Sequence, residues 1–173
     1  MNIENRDNLD LLLEIIQDKP ATRIAHISDG SHILSKAIVD MCEEKDYEYQ
    51  LYASKESFYD KSKTKYQSNK KINLTNLNLK RPSYQIQGRD YEYLFITTEI
   101  YGESLDDFLK KCYLIVKHAG NIIIFLPKKD YATRDRYIAS LEAQNFVSTS
   151  TIDDICPNYD VVVSRRMHGW GSK

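Results

Sequence analysis

The 173 residues carry 24 Lys and Arg against 25 Asp and Glu, so the formal charge is −1 and no global field draws the chain to nucleic acid or membrane. This length suits one domain that buries its own core without staples. No apolar run approaches the ~20 residues of a membrane span. The polar, acidic start (Met1 to Asp10) is unlike a secretory signal, so the expected compartment is the cytoplasm.

The first predicted element is a helix capped by Asp7 or Asn8, with Leu11, Leu12, Ile15 and Ile16 as its stripe and Pro20 as its stop. It forms an N-terminal extension over residues 1–20 of a single domain spanning 1–173. Residues 22–44 read as strand, tight polar loop and helix. Arg23 to Ile27 is the strand and Ser28-Asp29-Gly30-Ser31-His32 the loop. Ile33, Leu34, Ala37, Ile38 and Met41 form the helical face.

Tyr47 to Ala53 alternates as a second strand. From Lys55 to Arg89 the pattern is least regular, and a short helix and a weak strand between long loops are expected. Order returns with Tyr91 to Ile96, a buried strand. Ser104 and Asp107 then resemble a capping box ahead of a helix carrying Leu105, Phe108, Leu109, Cys112, Ile115 and Val116, with Gly120 as its C-terminal cap.

Asn121 to Leu126 is continuously apolar and stopped by Pro127, as a central parallel strand is. A helix capped by Thr133 follows, with Tyr137, Ile138 and Leu141 on one face. Phe146 to Ile152 and Tyr159 to Ser164 are the last strands. The turn at Cys156-Pro157-Asn158 is too short for a helical crossover, so these two strands pair antiparallel at one edge. The rest alternates strand and helix, which implies a mostly parallel sheet between helical layers.

A terminal hairpin after regular β/α alternation resembles the class I S-adenosylmethionine-dependent methyltransferases, from about Pro20 to Trp170. Ala25 to Ser35 stands where that family has an acid followed by a G-x-G-x-G loop, with Gly30 on the central glycine. The resemblance implies a three-layer, Rossmann-like fold with an antiparallel C-terminal edge. It also implies a cofactor, S-adenosylmethionine, against Ser28, Asp29, Gly30, His32, Thr97 and Thr98, with Glu99 as a general base beside an unknown methyl acceptor.

The chain departs from that family at several points. His26 replaces the acid, and Ser28 and His32 replace the outer glycines. The second strand ends Tyr52-Ala53-Ser54, without the carboxylate that holds the ribose hydroxyls. Thr97-Thr98-Glu99-Ile100-Tyr101 stands where the amino-methylating branch has N/D-P-P-Y/F, which argues against that chemistry.

A second reading is therefore a non-catalytic module of the same fold that binds a protein or nucleic-acid partner. Its surface would be the basic segment from Lys55 to Arg89, with nine Lys and Arg against Glu56 and Asp60, interleaved with Tyr59, Tyr66 and Tyr84. Cys42, Cys112 and Cys156 are too widely spaced for a zinc knuckle. The histidines show no ligand spacing, so no metal site is expected.

Overall fold

The structure is a computed structural model that describes residues 6–100 and 104–168. Seven strands form one sheet: β1 (Arg23–Ser28), β2 (Glu48–Ala53), β3 (Ile72–Asn76), β4 (Tyr91–Ile96), β5 (Val116–Pro127), β6 (Phe146–Cys156) and β7 (Tyr159–Arg166). Their order is β3-β2-β1-β4-β5-β7-β6. The first five run parallel. β7 lies antiparallel between β5 and β6, as the short Cys156-to-Tyr159 connection requires.

Helices α1 (Asp7–Leu13), α2 (His32–Lys45) and α3 (Glu56–Tyr66) cover one face of the sheet, and α4 (Leu105–Ile115) and α5 (Tyr131–Ala143) the other. Because both faces are covered, β1 reads as a nearly unbroken buried run. The N-terminal helix is part of the core: Leu9, Leu12, Leu13 and Ile16 pack in one cluster with Ile123, Phe125 and Val163.

The connection from β3 to β4, residues 77–90, contains no helix. Leu77 and Tyr84 plug that part of the second face instead. Tyr52 donates its hydroxyl to the Tyr84 carbonyl at 3.2 Å, and the Tyr84 hydroxyl donates to the Leu79 carbonyl at 2.8 Å. Two buried side chains and these bonds do the covering that a crossover helix would otherwise do.

Three expected helix ends fall differently. Arg6, with no side-chain cap bond, precedes α1, and Asp7 is its first residue. Asp130 caps α5 by accepting from the Thr133 backbone N–H at 3.1 Å, so Thr133 is the donor and not the cap. Gly120 caps nothing: α4 ends at Ile115 and the chain passes directly into β5. Ser104 does cap α4, accepting from the Asp107 N–H at 3.4 Å.

Candidate functional site

The carboxyl ends of β1, β2 and β4 lie side by side in the sheet, where open α/β folds place their ligands. After β1 the chain turns tightly into α2. The Ser28 hydroxyl accepts from the Gly30 N–H at 3.3 Å and the Ser31 N–H at 3.0 Å, and the His32 N–H reaches the Gly30 carbonyl at 2.9 Å. A serine at this position thus closes the loop on itself. Gly30 is half-exposed, and a Cβ built on it would meet nothing within 4 Å.

Ser54, just past β2, joins the three strand ends. Its N–H donates to the Ser28 carbonyl at 2.9 Å, and its hydroxyl donates to the same oxygen at 3.1 Å. The hydroxyls of Ser54 and Thr98 share a hydrogen bond of 2.7 Å. The Asp29 side chain is only 4% exposed and stands 3.6 Å from Lys55 Nζ. Glu99 is exposed.

Beneath this surface lies a buried polar group centred on His26, which is 0% exposed. Its Nδ1 is 2.9 Å from the Tyr49 hydroxyl and its Nε2 is 2.6 Å from the Thr97 hydroxyl, with Ser35 Oγ at 3.4 Å from Nδ1. Burial pushes the imidazole down to about 3, so it is neutral at physiological pH. One ring nitrogen donates and the other accepts, and the rotatable hydroxyls of Tyr49 and Thr97 satisfy either arrangement.

His32 goes elsewhere: its ring lies edge-on to Phe58 with centroids 4.8 Å apart. Its pKa is lowered first by burial and then by Lys65 and Lys61 of α3. Among the described residues no group of three His, Cys, Asp or Glu side chains is arranged to hold a metal ion.

The structure thus gathers Ser28, Asp29, Gly30, Thr97 and Thr98 at the strand ends, with His32 opening α2. Sequence reasoning met Ser54 only where a carboxylate is missing and Lys55 only as the start of the basic segment, not as members of this network. A serine followed by a lysine after a strand carries no signal, and Ser54 acts through residues 26 and 44 positions away.

The basic segment does not present one face. Lys55, Lys71 and Arg89 pair with Asp29, Asp46 and Glu48 at 3.6, 2.7 and 3.6 Å. Lys61, Lys63 and Lys65 are exposed on α3. Tyr84 is buried in the core, so its ring offers no stacking surface.

With this geometry in view, the chain is similar to the CurJ carbon methyltransferase: TM-score 0.74 and 13% identity, over 92% of this chain and 54% of that one. It is similar to the S-adenosylmethionine-dependent O-methyltransferase of Thermotoga maritima: TM-score 0.74 and 11% identity, over 99% and 69%. The cyclase SpnF also shares the architecture, with TM-score 0.70 and 9% identity over 95% and 81%. The chain spans about half the length of the CurJ structure. No protein-family model and no curated protein matches the sequence.

This chain has the class I methyltransferase fold. At 9–13% identity the likeness is one of fold. A cyclase among these neighbours illustrates that the fold alone does not fix the reaction.

At the strand ends several polar groups are bonded to one another. Ser28 takes up loop N–H groups, the Ser54 hydroxyl bridges Ser28 and Thr98, and the nearby Asp29 carboxylate is buried against Lys55.

Proposed function

We propose that this chain uses the methyltransferase fold as a non-catalytic binding module and does not carry out S-adenosylmethionine-dependent methyl transfer. One observation carries the reading: the Ser54 hydroxyl bridges the Ser28 carbonyl and the Thr98 hydroxyl across the ends of β1, β2 and β4. It fills with self-satisfied polar groups the place where a ribose diol would need open acceptors. The partner surface in this reading is the solvent-exposed part of α3, with Lys61 and Lys65 one turn apart and Lys63 on another side of the helix. With Tyr84 buried and Tyr59 and Tyr66 packed against the core, charge more than base stacking would provide the recognition, which suits an acidic protein surface.

Titration calorimetry with S-adenosylmethionine and S-adenosylhomocysteine tests the proposal. The expected result is no heat from either at about millimolar ligand, where even weak binding is detectable. A Ser28→Gly, Ser54→Asp double variant frees the loop donors and installs a carboxylate, so it should gain affinity for both. Micromolar binding by the unaltered chain overturns the reading.

That outcome would favour the alternative, a divergent methyltransferase. Its support is the open space beside Gly30, where a Cβ would meet nothing within 4 Å; in this reading the exposed Glu99, just past β4, would serve as the general base.

A further inference from the structure

At the amino end of the parallel strands, opposite the site above, the sheet opens into a cleft of about 460 Å³. Its charged and hydrogen-bonding side chains come from four separate segments. Lys19 lies on the connection from α1 to β1, and Glu92 and Tyr93 start β4. Lys117 and His118 stand on β5, and Arg165 ends β7.

A break in the β4–β5 pairing builds this cleft. Tyr91 pairs with Val116 but Tyr93 pairs with Asn121, so β5 spends five residues where β4 spends two. The three extra residues bulge outward with Ala119 in the left-handed region, at φ 63°. Gly120 brings the bulge hard against β4: a Cβ there would stand 2.8 Å from the Glu92 carbonyl oxygen.

The charges converge. Lys19, Lys117 and Arg165 contribute +3 and Glu92 −1, a net of +2. The Glu92 carboxylate is already engaged: one oxygen accepts from the Arg23 N–H at 2.8 Å, the other from Lys117 Nζ at 2.9 Å. Arg165 donates Nε–H to the Ala119 carbonyl at 3.0 Å, which anchors the guanidinium with one of its five N–H groups. The Tyr93 hydroxyl accepts from the Gln17 N–H at 3.0 Å and fixes the entering chain beside Lys19.

We propose that this cleft binds the phosphate of a small phosphate monoester. A dianion matches the net charge of +2. Donors arriving from three segments suit a tetrahedral group with three outer oxygens better than a planar carboxylate. The volume greatly exceeds that of bare phosphate and leaves room for an organic remainder of small-molecule size.

The test follows amide chemical shifts on the full chain at fixed ionic strength. The probes are ribose 5-phosphate, inorganic phosphate, unphosphorylated ribose and chloride. Saturable shifts at Lys19, residues 117–121 and Arg165 with the two phosphates, and none with ribose or chloride, are the expected result. Arg165→Gln and Lys19→Gln should each weaken ribose 5-phosphate binding roughly tenfold, the loss of one charge-assisted hydrogen bond. Lys110→Gln, exposed on α4 and outside both sites, should change nothing.

Affinity unmoved by both cleft variants overturns the proposal. So does a response to chloride equal to that to phosphate, or shifts that map to α3. An oligonucleotide that binds this cleft equally with and without a 5′-phosphate overturns it as well.

Discussion

His26 shows how one residue couples burial to pH. Its imidazole sits at about 3 in the folded chain and near the ordinary 6.5 when unfolded, so between these values the unfolded state binds the extra proton. The stability it supports is therefore fully present above pH 6.5 and lost as pH falls from there toward 3. Urea denaturation at pH 7 and pH 5 should show a loss of about 2 kcal/mol from this residue alone. His26→Leu should flatten that part of the profile. The variant should also cost roughly 2–5 kcal/mol at pH 7, because the hydroxyls of Tyr49 and Thr97 lose a buried partner. A profile of unchanged slope in His26→Leu would assign the acid sensitivity to other groups.

Among the elements, α1 and β5 carry most of what was not expected. Of the stripe expected over Leu11, Leu12, Ile15 and Ile16, Leu12 and Ile16 are buried in the cluster shared with β5 and β7 and Ile15 packs against it, but Leu11 is 56% exposed. Leu12→Ala should cost about 2–5 kcal/mol by denaturant midpoint, the range of a core truncation that leaves a cavity. A loss under about 0.5 kcal/mol, typical of surface sites, would mean that α1 is not packed on the sheet.

In β5, Gly120 is required by close approach to β4 and not by a helix cap. Gly120→Ala should destabilise by roughly 1–3 kcal/mol, the cost of overpacking against a backbone oxygen that cannot step aside. Gly30→Val at the other end of the sheet should leave the fold intact, since its Cβ meets open space. Thermal unfolding of the two variants side by side separates these roles.

Across the whole molecule, the alternation of apolar strands with amphipathic helices was legible from Arg23 to Arg166. Tyr91 to Ile96 was placed residue for residue, and the short link after Cys156 announced the antiparallel edge. Periodicity and connection length are local properties, and the chain states them directly. The missing crossover helix at 77–90 was legible only as irregularity, because nothing local says that Tyr84 will fill the space.

For the candidate site, sequence order placed Ser28 to His32 and Thr97 to Glu99 after their strands. The lace through Ser54, the enclosure of His26 by Tyr49 and Thr97, and the cation cleft joining residues 19, 92, 117 and 165 were decided by tertiary structure alone. Strand order and register bring Ser54 to Ser28 and Thr98, His26 to Tyr49 and Thr97, and Lys117 to Glu92. Register is set by many long-range pairings acting together, so no single stretch of the sequence contains it.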